Sequence, residues 1–211
     1  LIHHRHENFH ALPFALLTCF ITVNGIPNIF DSLLIILCMT SMRTVAMLAN
    51  RIIDRDVDSL NPRTKNRTLV TGKFSETSVV IYIIIFVILY FLCVSQLHKS
   101  TWILSPIPLG MTVFYSYLKR FTWLCHFGIG LVYLIVPPAV QIALIGKFDI
   151  WAVLIGIGGA LWVSGFDILY GIFDIESDRN IGIKSIPARF GINVSLILTK
   201  LVHALSLIFL L

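Results

Sequence analysis

Seven long apolar stretches, at about residues 10–30, 32–56, 79–97, 101–118, 123–146, 150–173 and 193–211, dominate this chain. Each approaches the roughly 20 residues that a helix needs to cross a bilayer. Their apolar residues come in blocks rather than as a stripe at 3.6-residue spacing, a pattern a soluble domain cannot bury. With 57% hydrophobic and only 13% charged residues, against about a quarter charged in soluble domains, the chain is expected to be all-α. The expected architecture is a multi-pass transmembrane helical bundle of about seven helices. Residues 1–10 are polar, and the first apolar run reaches span length without a small-residue cleavage site, so no cleavable signal peptide is expected. The chain opens on Leu1 and stops within the apolar run Leu201–Leu211. It reads as a single domain, 1–211, of a longer protein, lacking the initiator Met and at least its C-terminal end.

The charges alternate along the chain. Twelve of the sixteen basic residues fall in residues 1–10, 51–75, 119–120 and 179–189, whereas the alternate connections carry only Lys99 and Lys147. By the positive-inside rule the basic connections are cytoplasmic, and the N-terminus lies inside. A net charge of +5 therefore reflects topology and does not point to nucleic acid. The connections Gly25–Asp31, Gln96–Ser100 and Gly146–Asp149 are short far-side turns. The cytoplasmic connections 59–78 and 179–192 are long, polar and basic, and function is expected there. Nothing in the chain points to a protein partner. Cys19, Cys38, Cys93 and Cys125 lie in apolar runs without a C-x-x-C pair, so they read as small core residues rather than disulfides or zinc ligands.

Each of the two long basic loops follows an acidic motif. Arg43, Asn50, Asp54 and Asp58 fall at spacings of 7, 4 and 4, and Asp167, Tyr170, Asp174 and Asp178 at 3, 4 and 4, which places each set on one helix face. Seven of the eleven acidic residues lie in or beside these two patterns. Carboxylates four residues apart repel one another, and at the C-terminal end of an inward-running helix they also face the negative pole of its dipole. Ionisable groups so placed beside a membrane are functional by default, and a cation between them would relieve the repulsion. Clustered carboxylate oxygens suit Mg²⁺, which keeps waters and is commonly shared with substrate phosphates. Arg63, Arg67, Lys119, Arg120 and Lys184 would meet the phosphate oxygens. Carboxylates, metal and basic loops together describe a diphosphate site, built from a pseudo-repeat of helix, D-x-x-x-D and basic loop.

Three segments carry a family resemblance: Asn50-x-x-x-Asp54-x-x-x-Asp58 with Arg63-Thr and Arg67, Tyr115-Ser-Tyr-x-Lys119-Arg120-Phe-Thr-Trp123, and Asp167-x-x-Tyr170-x-x-x-Asp174-x-x-x-Asp178 with Gly182-Ile-Lys184-Ser. In this order they resemble the UbiA superfamily of intramembrane aromatic prenyltransferases, and the 4-hydroxybenzoate polyprenyltransferase branch in particular. The opening His10-Ala-Leu-Pro13-Phe-Ala is similar to that family's first helix. Some members carry Asp after the motif asparagine, where this chain has Arg51. The resemblance implies nine helices around a central cavity, two of which would lie after Leu211. It implies two Mg²⁺ held by Asp54, Asp58, Asp174 and Asp178, a polyprenyl diphosphate donor and an aromatic acid acceptor. Asn50, Arg43, Tyr115 and Tyr170 join the basic residues as the implied substrate contacts, and Asp167 or the departing diphosphate takes the ring proton. The acceptor is 4-hydroxybenzoate, or a dihydroxynaphthoate, because Ser185-Ile-Pro-Ala-Arg-Phe-Gly191 also resembles the menaquinone subgroup. Either acceptor implies respiratory quinone biosynthesis.

Two other readings compete. An alcohol phosphatidyltransferase would keep its acids in one compact helix pair, but here the two clusters are far apart in sequence. A transporter would also keep intramembrane charges at broken helices, but the far side offers no matching polar vestibule. Phe14, Phe114, Trp123, Tyr133 and Trp162 are candidates for a prenyl tail channel, although each is individually more often ordinary packing. His126 and His203 read as packing residues, and His3, His4 and His6 as part of a polar N-terminus. Pro106, Pro108, Pro137 and Pro138 are expected to kink or break spans four and five.

Overall fold

A computed structural model describes residues 11–211. His3, His4, His6 and His10 lie outside the described residues. Among the described residues all regular structure is helical: α1 Ala11–Val23, α2 Ile29–Ile53, α3 Arg55–Leu60, α4 Glu76–Val94, α5 Lys99–Leu104, α6 Pro106–Phe121, α7 Cys125–Ile145, α8 Ile150–Gly171, α9 Ile175–Ile181 and α10 Ile186–Leu210. The seven expected spans correspond to α1, α2, α4, α5 with α6, α7, α8 and α10. Five helical segments, 29–53, 76–94, 125–145, 150–181 and 186–210, are long and apolar enough to cross a membrane. Their outer faces carry large exposed apolar side chains, such as Ile81, Ile84, Ile88 and Leu92 on α4. In water that surface would be an aggregation liability. In hydrocarbon it is the solvated surface, and the chain is an integral membrane protein.

Local chemistry places the breaks. Asn28 caps α2 by accepting from the Phe30 N–H at 2.8 Å, and Ser75 caps α4 by accepting from the Ser78 N–H at 3.1 Å. The prolines break one of the two spans and not the other. The fourth span is broken at Ser105 with Pro106 at the first position of α6, but α7 runs on through Pro137 and Pro138. The last span, expected from residue 193, starts earlier, at Ile186. Gly191 interrupts it with φ 80° and ψ 178°, a conformation open to glycine and strained for other residues.

The most extensive pairings are α7 with α8, α8 with α10, and α2 with α4. Glycines set the first. A Cβ on Gly156 of α8 would lie 2.3 Å from the Leu134 carbonyl oxygen of α7, and one on Gly130 of α7 would lie 2.9 Å from the Ala160 carbonyl oxygen of α8. The two helices therefore touch backbone to backbone at two places one turn apart, the small-residue packing by which helices associate in lipid. Helices α2, α6 and α8 end, and α4, α7 and α10 begin, at the same end of the bundle, which also carries α3, α9 and the basic loops.

Candidate functional site

Both acidic motifs sit at helix breaks rather than on straight helices. α2 stops at Asp54 (φ −97°, ψ 5°) before α3 resumes, and a 3₁₀ turn, Ile172–Asp174, leads from α8 to Asp174 (φ −108°, ψ 6°) and α9. The two leading aspartates share the sparsely populated bridge region of backbone space. The expected pseudo-repeat thus extends to backbone conformation.

Around these breaks each aspartate meets a polar partner. The Lys119 ammonium donates to Asp54 Oδ2 at 2.5 Å, and the Asn50 amide donates to the same oxygen at 2.7 Å and to Ser116 Oγ at 3.2 Å. Asp54 is 2% exposed, and its Oδ1 is buried without a hydrogen-bond partner among the described residues. Arg67 donates to both oxygens of Asp58 at 2.6 Å. The first basic loop reaches across to the second motif: Arg63 makes a bidentate pair with Asp174 at 2.9 and 2.5 Å, and Asn61 donates to the same carboxylate at 2.9 Å. In the second loop the Ser185 hydroxyl donates to Asp178 Oδ2 at 2.8 Å and accepts the Ala188 N–H as the cap of α10. Asn61, Ser116 and Ser185 carried no role in the sequence reading. Asn61 and Ser185 could have been found as the polar residues that begin and cap the two loops; Ser116, buried in α6, gave no such signal.

Two of the expected cations lie elsewhere. The Lys184 ammonium donates to the Phe121 carbonyl at 3.2 Å, while its N–H donates to the Lys119 carbonyl at 2.8 Å. Arg120 donates to the Ile53 carbonyl at the end of α2 and lies 5.9 Å over the Tyr117 ring. Both stitch the 182–185 loop and α2 to the end of α6, and so hold Lys119 in position.

Behind the aspartates lies a cavity of about 510 Å³, lined from α1, α2, α6, α7 and α8, within the size range of small-molecule sites. Arg43, Asn50, Arg67, Tyr115, Asp167 and Tyr170 are on its wall, and Asn50 and Arg67 connect it to Asp54 and Asp58. Of the five aromatic residues considered for a tail channel, only Tyr133 is on the wall of this cavity. Phe14 packs on Gly159, Phe114 faces outward, Trp123 stacks edge-on against Phe190 beneath Arg189, and Trp162 packs on Phe166 and His203. All-round apolar helices give no sequence signal for which face turns inward. His203, hydrogen-bonded to the Trp162 carbonyl, fits the packing expected of it. His126 does not: its Nδ1 lies 2.7 Å from Asp167 Oδ2.

The residues fit a divalent cation of the hard type. All four donors are carboxylates, and Asp54 offers a buried oxygen that no group among the described residues answers. Among the described residues no three acidic, histidine or cysteine side chains converge closely enough to cage an ion. That arrangement suits Mg²⁺ completing its shell with phosphate oxygens and water better than a site made of protein alone.

The sequence profile of the UbiA prenyltransferase family matches residues 11–211. Over 172 residues the chain is 30% identical to a 4-hydroxybenzoate octaprenyltransferase from Aliivibrio fischeri, covering 82% of this chain and 60% of that protein. The chain thus spans about 60% of the length of the curated relatives it matches. Among solved structures, the apo form of a UbiA homolog from Aeropyrum pernix is similar with a TM-score of 0.88 and 30% identity, over 96% of this chain and 76% of that one. A UbiA homolog from Archaeoglobus fulgidus, solved bound to GPP and Mg²⁺, shares the fold with a TM-score of 0.73 and 22% identity, over 95% and 71% of the two chains.

Proposed function

The chain belongs to the UbiA prenyltransferase family, and on that footing we propose that it transfers a polyprenyl group from its diphosphate to the ring of an aromatic acid, with 4-hydroxybenzoate as acceptor. The observation that carries this reading is the Arg63–Asp174 pair, which ties the loop after the first acidic motif to the second motif, beside a cavity whose wall carries Asn50, Arg67, Asp167 and Tyr170. The names of the curated relatives support the acceptor. Asp54, Asp58, Asp174 and Asp178 would hold Mg²⁺, which when bound supplies positive charge to the leaving diphosphate.

The chain's own residues do the rest. Lys119, Arg67 and Arg63 hold the aspartates, and they are also the cations best placed to turn to the phosphate oxygens as the donor enters. Their charge then stabilises the diphosphate as its bond to the allylic carbon breaks. The cavity keeps bulk water away from the resulting cation. Arg43 and Tyr115 on its wall would orient the acceptor ring, which attacks ortho to its hydroxyl and forms the carbon–carbon bond. The ring proton leaves to Asp167, the carboxylate on that wall, or to the departing diphosphate. The site opens to the cytoplasmic side, as the basic loops around it require.

Membranes containing the protein, given polyprenyl diphosphate, Mg²⁺ and labelled 4-hydroxybenzoate, are expected to form the prenylated acid, with a dihydroxynaphthoate offered in parallel as competitor. Asp54→Ala or Asp174→Ala should lower the rate about a hundred-fold or more. Activity that survives either substitution would sink the assignment of those carboxylates.

A further inference from the structure

We propose that His126 is a positioning residue for Asp167, holding its carboxylate against the cavity wall through a fixed tautomer. This rests on the transfer reaction proposed above. His126 is the second residue of α7 and 4% exposed. Its ring is gripped from both sides. Nδ1 lies 2.7 Å from Asp167 Oδ2 on α8, and Nε2 faces the N–H of Ile186, the first residue of α10, at 3.3 Å. A backbone N–H can only donate, so Nε2 must be the bare nitrogen and Nδ1 carries the proton. The neutral imidazole therefore donates to the carboxylate, a charge-assisted bond that keeps Asp167 in one orientation.

Packing shows a place shaped for this ring. A Cβ on Gly171 would come within 3.1 Å of His126 Cε1 and of Pro187 Cγ, so the ring occupies the space left by a glycine on α8, beside the proline that follows Ile186. The close crossing of α7 and α8 at Gly130 and Gly156 sets the helix separation that brings His126 to Asp167. Residue 186 follows Ser185, whose hydroxyl donates to Asp178. His126 thus sits where the carboxylate on the cavity wall and the diphosphate half of the site are both within one residue of its contacts.

Two near-isosteric substitutions separate a positioning role from a structural one. In His126→Asn the side-chain amide nitrogen stands near the former Nδ1 and can still donate to Asp167. In His126→Gln the terminal amide reaches the former Nε2 position, where its oxygen can accept from Ile186 but no donor faces Asp167. With labelled acceptor and saturating donor, His126→Asn should keep kcat within a few-fold of wild type, and His126→Gln should lose about ten- to a hundred-fold. The KM for the prenyl diphosphate should stay unchanged in both.

The reverse order, with His126→Gln active and His126→Asn impaired, or a loss seen only in the diphosphate KM, would overturn the inference and leave the transfer reaction standing. A wild-type protein silent on both acceptors would overturn the reaction and this inference together. Histidine ¹⁵N spectra of the wild-type protein in micelles provide a test independent of either variant's folding. The His126 ring should carry its proton on Nδ1, and a ring protonated on Nε2 would overturn the inference.

Discussion

Asp54 is almost wholly out of water, with one oxygen shared by Lys119 and Asn50 and the other unanswered among the described residues. A buried carboxylate in this state depends on the Lys119 ammonium that pairs with it. Removing one partner of a buried pair costs far more than the pair itself contributes, because the remaining charge has nowhere to go. Lys119→Met keeps the stem and deletes the ammonium. It is expected to lower stability by about 3 kcal/mol, read as a fall in melting temperature in detergent, and added Mg²⁺ should recover part of that fall. A Lys119→Met protein that melts like wild type would show that Asp54 does not rely on this pair. The surface pair Arg55–Glu76, half-exposed on both sides, carries no such weight.

At the scale of elements, the site depends on how closely α7 and α8 approach. Gly156 abuts the Leu134 backbone, which cannot move aside as a flexible side chain could, whereas Gly110 on α6 has nothing within 4 Å of where its Cβ would be. Gly156→Ala should therefore part the two helices and lower the melting temperature by several degrees, about 2–4 kcal/mol. Gly110→Ala should leave it unchanged or raise it slightly, because alanine is the better helix former by up to about 1 kcal/mol. Equal effects from the two would mean that backbone contact does not set the helix spacing. The apolar runs made the spanning helices themselves legible. The partner of each glycine was not, because small residues in an all-apolar helix mark close approach without naming what approaches.

For the whole molecule, charge and connectivity agree on orientation. The basic loops and both acidic motifs share one end, and the connections 24–28, 95–98 and 146–149 lie at the other. In a cysteine-free background, Thr71→Cys in the first basic loop should react with a membrane-impermeant maleimide only in inverted vesicles. Phe148→Cys should react only from the outside of intact cells. Both positions are exposed, so labelling of Thr71→Cys from outside would reverse the topology on which the cytoplasmic site rests.

The amino-acid sequence alone determined the class of fold, the order and approximate positions of the spans, and the shared end of the two acidic motifs. Hydrocarbon length and charge asymmetry act along the chain and need no partner to be read. Only the tertiary structure decided which cation answers which acid. It sent Arg63 across to Asp174 and turned Lys184 and Arg120 onto backbone carbonyls. Of the five aromatic side chains considered for a tail channel it left only Tyr133 on the cavity wall, and it set His126 against Asp167. Those outcomes depend on the packing of helices distant in sequence, and in a helix apolar on every side no periodicity announces which face will turn inward.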